Sequence, residues 1–499
     1  MSYLTTCTFS VSKQTLNSGN QIQMTPKSLV LAAQSGESDK VRLILKAGEV
    51  NVNCIFRKYT PLTAACQMGR VETVKVLLQH GASMHYQEGT AGPPLLLACF
   101  NGSADIVKML LDYGCKLDSP SYQHDAHALL IASELGHARI VESLLKHSAF
   151  IDIQDKKGST ALMLASKNGH TEVITILLKY QAKLDKTDIK GFTALHYACT
   201  AKSVDIVRIL LEYRAPVNTI AMGYSTCLSV ATTVGHAGIV KMLLEHGANL
   251  HIDLTDPEGH SALIYACQDG HTEIVKLLLE HGATVDLHTK EKSTGLILAS
   301  QKGHTNIVEL LLQHRAKVDI FDSMGRTPLT LASGSGHIEV IKLLLKHGAQ
   351  IDLNSGGITP LVMACYANQV EVVKLLKKHG ANFDIKVTKE GSMKTALSIA
   401  IEENHKDIID ILLGRPILRD AFKELIPIAK DWRGIGLFLE FKDDDLNKIS
   451  IQNPYHNDAL YKLLCEWLKR DTPLPTWKSL AEAVEPFSKN IAKVIKDFT

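Results

Sequence analysis

The sequence predicts an all-α fold: a solenoid of helix-turn-helix units followed by a six-helix bundle. Three observations predict it. An alanine-centred motif recurs through most of the 499 residues at intervals of 32 to 36. Each copy carries two short apolar stretches of helical periodicity, with a glycine between them in most copies. The period stops after Leu412-Leu413, and all three tryptophans, Trp432, Trp467 and Trp477, lie beyond it.

The recurring alanines are Ala32, Ala65, Ala98, Ala132, Ala165, Ala198, Ala231, Ala266, Ala299, Ala332, Ala364 and Ala400, and they define repeats 1 to 12. A small residue is needed where two helices approach closely. Thr60-Pro61, Thr327-Pro328 and Thr359-Pro360 open the first helix. The threonine can cap free amides, and proline at the first helical position gives up no hydrogen bond. Four residues after most of the alanines a glycine ends this helix in a left-handed turn. The second helix follows, as in His271 to Glu280, with Ile274, Val275, Leu278 and Leu279 on one face. A Gly-Ala pair such as Gly282-Ala283 stops it.

These residues resemble the ankyrin repeat. The clearest copies run from Gly158 to His170 (GSTALMLASKNGH) and from Gly325 to His337 (GRTPLTLASGSGH). The resemblance covers residues 27–413, twelve copies. It implies an array stabilised by stacking, because one such unit cannot bury its own apolar face. Departures are local. Lys202, Asn368 and Asn404 replace the turn glycine, and Lys377 replaces the second leucine of the Leu-Leu pair. Residues 1–26 read as a disordered tail.

Beyond the Gly414-Arg415-Pro416 break, residues 417–499 carry six amphipathic stretches. Asp431 to Leu439 forms the second. Asp443, Asp444 and Asp445 open the third, where acidic residues suit the helix dipole. Leu460, Leu463, Leu464 and Trp467 share one face of the fourth, which ends at Lys469-Arg470. Thr476 caps the fifth, which carries Trp477, Leu480 and Val484. WRGIGLFL (432–439), LLCEW (463–467) and PTWKSLAEA (475–483) resemble the death domain. That resemblance implies a six-helix Greek-key bundle that pairs with other death-fold domains.

Composition narrows the function. Lys and Arg number 54 against 52 Asp and Glu, so no long-range field attracts nucleic acid or an anionic membrane. No apolar run is long enough to span a bilayer, and the N-terminus lacks a secretory signal. Five of the ten cysteines, Cys66, Cys99, Cys199, Cys267 and Cys365, share one repeat position, the pattern of small buried hydrophobes. A reducing, cytoplasmic compartment fits. Fifteen of the 22 histidines occupy repeat positions beside the turn, at the end of the second helix or in the first helix, and their spacing matches no zinc motif. No phosphate loop, kinase signature or nucleophile elbow appears.

The expectation is a non-enzymatic cytoplasmic adaptor without a cofactor, metal or catalytic residue. It would bind proteins on the concave face of the solenoid and recruit death-fold partners through residues 417–499. Homotypic association is a further expectation. Nucleic-acid binding and membrane insertion are not expected. The rival reading is a scaffold tethering membrane or cytoskeletal proteins. Tyr59, Met68, Phe100, Leu135, Phe192 and Tyr366 are the candidate contact residues of the array. Asp443, Asp444, Asp445, Lys469 and Arg470 are the charged candidates of the bundle.

Overall fold

Threonine chemistry begins the first helix of a repeat. Thr60 Oγ1 accepts the Thr63 amide at 3.1 Å, while Thr63 Oγ1 accepts the Thr60 amide at 2.8 Å. Two amides that lack a partner inside the helix Pro61–Gln67 are thereby satisfied. Thr327 and Thr359 cap Pro328–Ser335 and Pro360–Tyr366 with the first of these two bonds, accepting the Thr330 and Val362 amides at 3.1 and 3.2 Å. The computed structural model describes residues 24–85, 91–117, 127–353, 357–383 and most of 385–413. Further on it describes 432–439, 442–452, 477–486 and residues 463, 464, 467, 488 and 492. Residues 1–23 of the expected tail and the Lys469-Arg470 pair lie outside the described residues. The last residues of that tail belong instead to the first repeat, where Thr25 caps the helix Pro26–Ser35.

The chain divides into two units, Met1–Val230 and Ala231–Thr499. In the first, helix pairs follow the predicted period, as in Ala161–Asn168 with Thr171–Lys179 and Ala194–Thr200 with Val204–Glu212. First helices of successive repeats pack on one another, and so do second helices. The recurring alanines are fully buried at this seam, as are Ile44, Leu77, Leu110, Leu144 and Leu177. Burying each such leucine contributes roughly 1.5–3 kcal/mol. Cys66, Cys99 and Cys199 are also inside, and burial pushes the Cys66 and Cys99 thiols well above their usual range. They behave as small apolar residues.

The second unit repeats the scheme through Ile338–Lys346 and Val370–Lys378 to Lys406–Leu413. One feature departs from the all-helical expectation. Strands β1 (Val387–Lys389) and β2 (Ser392–Lys394) form an antiparallel hairpin, with Val387 opposite Lys394. This excursion accounts for the longest interval of the array, between Ala364 and Ala400. Among the C-terminal residues, Trp432–Phe438, Asp443–Gln452 and Trp477–Val484 are helical. Trp432, Ile435, Leu446, Leu463, Trp467, Leu480 and Val484 are buried. Gly436 allows the close approach there: a Cβ would lie 2.6 Å from Leu446 and 3.0 Å from Leu463.

Candidate protein-binding surface

The turn after each first helix determines which side chains remain outside. Its glycine has a second job that the sequence did not reveal. A Cβ on Gly136 would lie 2.5 Å from Nδ1 of His170, the histidine of the following repeat. With that space free, His170 Nε2 donates to the Glu134 carbonyl at 2.9 Å. His304 and His337 bridge to Gln268 and Gln301 in the same manner, at 3.2 and 3.0 Å. The histidines that close second helices instead donate within their own helix, as His80 does to Val76 and His281 to Leu277, both at 2.8 Å. His196 is buried, and its Nδ1 lies 2.9 Å from Thr193 Oγ1. Burial pushes its pKa down from 6.5 to about 4, only partly offset by the backbone of Ser225 and Thr219 and by Asp188.

The two residues before the turn point away from this seam. Met68, Phe100, Leu135 and Tyr366 are 42, 45, 43 and 48 % exposed. The first three stand on consecutive repeats whose turns touch, since a Cβ on Gly69 would meet Asn101 and one on Gly102 would meet His137. They therefore form an apolar strip on the outside of a folded array. The other two array candidates are half-buried. Phe192 packs on the rings of His196 and Tyr197, with centroids 5.2 and 5.8 Å apart. Tyr59 closes the bridge that pairs it with Phe56.

Backbone bonds tie the hairpins between repeats into a ladder. Ile189 donates to the Lys157 carbonyl at 3.0 Å and Met222 to the Lys190 carbonyl at 2.8 Å in the first unit. Lys290 donates to Glu258 at 2.9 Å in the second. Side chains fasten the hairpins to the first helices. Tyr197 and Tyr265 hydroxyls donate to Asp188 and Asp256, each at 2.6 Å. Burial, with the neighbouring Asp256, pushes the Tyr265 pKa up to about 12. The hairpin tips carry exposed apolar side chains that sequence reasoning missed: Ile189, Met222, Tyr224 and Met324. The available signal was Ala221 and Tyr224 standing where neighbouring hairpins have aspartate and glycine.

In the C-terminal segment Asp443 begins the helix Asp443–Gln452, as expected. Asp444 and Asp445 are exposed, and Asp445 lies 3.6 Å from Lys448. Such an exposed pair contributes roughly 0–1 kcal/mol, which leaves both carboxylates accessible to another molecule. No helix among the described residues is long and apolar enough to cross a membrane.

Comparison with known families agrees with this geometry. A model of ankyrin repeats (3 copies) matches residues 12–88, 29–121, 84–155, 129–221, 219–289, 284–355 and 352–420. A death-domain model matches residues 417–499. No curated protein matches the chain. Both families are modules of protein–protein interaction.

Proposed function

Because the chain belongs to the ankyrin-repeat family and carries a death domain after its repeats, we propose that it is a non-enzymatic cytoplasmic adaptor in signal transduction. The array holds one class of protein on the concave, turn-bearing side, and residues 417–499 recruit a death-fold partner. The single observation that carries this reading is the strip of Met68, Phe100 and Leu135, exposed on three consecutive repeats of a packed array. Apolar and aromatic anchors dominate interface energies, and clustered exposure of this kind marks an interaction surface. Asp444 and Asp445 supply charge at a helix start, where it sets orientation and partner choice more than affinity.

The test compares three full-length proteins in quantitative capture from cytosol: the natural chain, Met68→Ser/Phe100→Ser/Leu135→Ser, and Asp444→Lys/Asp445→Lys. The adaptor reading expects each variant to lose a different set of proteins, with death-fold proteins in the second set. Cytoskeletal or membrane proteins in both sets would favour a tethering scaffold. Loss of the same proteins by both variants would contradict two separate surfaces.

A further inference from the structure

The hairpin entering repeat 7 departs from its neighbours in three respects. In the preceding hairpins Asp155 and Asp188 accept amides of their own turns, from Ser159 at 2.7 Å and from Phe192 at 2.9 Å. Gly158 and Gly191 take the left-handed residue, with φ of 76 and 78°. Glycine is required there, because a Cβ would lie 3.0 Å from Cα of Asp188 and of Ala221 respectively. In the hairpin of repeat 7, Ala221 occupies the aspartate position. Tyr224 occupies the glycine position at φ 60°, a conformation strained for a bulky residue. Finally, Ile220, Met222 and Tyr224 are 44, 70 and 56 % exposed, and Ile189 on the preceding tip is 61 % exposed.

Strain kept at a position whose side chain faces water brings no packing in return, and such positions concentrate at functional sites. The surroundings indicate what would cover them. The tips are joined by the amides of Ile189 and Met222, which donate to Lys157 and Lys190. Lys157 and Lys190 are exposed, and their ammonium groups meet no carboxylate among the described residues. The carboxylates of the same turns face inward: Asp155 bonds backbone amides, and Asp188 bonds amides and the Tyr197 hydroxyl. Asp185 is the exposed carboxylate of these two loops. The result is an apolar crest with a basic rim.

We propose that the crest of Ile189, Met222 and Tyr224 docks an extended acidic segment of another protein that carries apolar side chains. Its leucine or aromatic groups would lie against the crest, and its carboxylates would meet Lys157 and Lys190. This surface is separate from the strip of Met68, Phe100 and Leu135 and does not depend on it.

The test is fluorescence polarisation with the full chain and a short labelled peptide alternating glutamate with leucine and phenylalanine. The expected result is binding that weakens with salt, since exposed charges are screened over ~10 Å at 0.1 M. A counterpart peptide with lysine for glutamate should not bind. Lys157→Glu/Lys190→Glu and Ile189→Ser/Met222→Ser should each weaken binding by about tenfold or more. Met68→Ser/Phe100→Ser/Leu135→Ser should leave it unchanged. Tyr224→Gly should weaken binding and raise the thermal midpoint, which separates a docking residue from a structural one. Absence of binding by the acidic peptide, equal binding by the lysine peptide, or full affinity in either double variant would overturn the proposal. A lowered midpoint for Tyr224→Gly would overturn the strain argument on which it stands.

Discussion

His170 and Glu134 are joined across repeats: the imidazole Nε2 donates to the Glu134 backbone carbonyl at 2.9 Å. Glu134 is the residue before the exposed Leu135, so this bond fixes the backbone that presents one end of the apolar strip. Other repeats make the bond with different side chains. Arg70 Nε reaches Gln34 and Gln369 Nε2 reaches Gly334, both at 3.2 Å. His170→Ala should therefore destabilise the array by about 1 kcal/mol, while His170→Gln should retain much of the bond. Denaturant midpoints check this. Equal midpoints for the alanine variant and the natural chain would remove the histidine from the account.

The turn glycines should not be equivalent. Gly136 leaves room for His170, whereas no atom lies within 4 Å of a Cβ on Gly169. Repeat 6 explains the difference, since Ser203 stands there in place of the histidine. Both glycines are left-handed, with φ of 78 and 81°. Gly169→Ala should cost about 1–2 kcal/mol for the backbone alone. Gly136→Ala should cost about 1–3 kcal/mol more through overpacking. Hydrogen exchange of amides in 128–146 and 161–179 reads the two locally, which suits an array whose repeats couple to nearest neighbours.

Lys377 should resist conversion to the leucine that its repeat position favours. Its half-buried ammonium donates to the carbonyls of Ile411 and Leu412, at the end of Lys406–Leu413. Those carbonyls lack partners within the helix, and a cation there also meets the negative end of the helix dipole. Lys377→Leu should lower stability by about 1 kcal/mol despite the added apolar surface. A rise in the thermal midpoint would show that burial outweighs the cap.

Acid should weaken the first unit through His196. Its pKa falls from 6.5 to about 4 on burial. The unfolded chain therefore binds the proton more readily, so stability is complete above pH 6.5 and is lost as pH falls toward 4. The loss at the lower end is about 3 kcal/mol. His196→Gln should lower the midpoint at pH 7 and flatten its decline between pH 6.5 and 4.5. An equally steep decline in the variant would assign the acid sensitivity elsewhere.

These residues also mark how far the sequence could be read. The alanines, caps and paired leucines were legible because each acts within its own repeat, where spacing alone fixes the role. The left-handed turns were legible even where Lys202, Asn368 and Asn404 replace glycine, at φ of 57, 56 and 59°. What could not be read depends on a neighbour a repeat away: the room Gly136 makes for His170, and the reach of Lys377 to Ile411. The hairpin of Val387–Lys389 and Ser392–Lys394 was visible only as a longer interval. Among the candidate contacts, Met68, Phe100, Leu135 and Tyr366 were legible as outward positions. Phe192 is half-buried because aromatic neighbours in its own repeat take up one face.

The most direct test of the adaptor claim is sedimentation velocity on the full chain mixed with two captured proteins. One is lost with Met68→Ser/Phe100→Ser/Leu135→Ser and the other with Asp444→Lys/Asp445→Lys. The account predicts a ternary complex in which each partner binds with the same affinity whether or not the other is present. Mutual displacement of the two partners, with only binary complexes at every ratio, would contradict it.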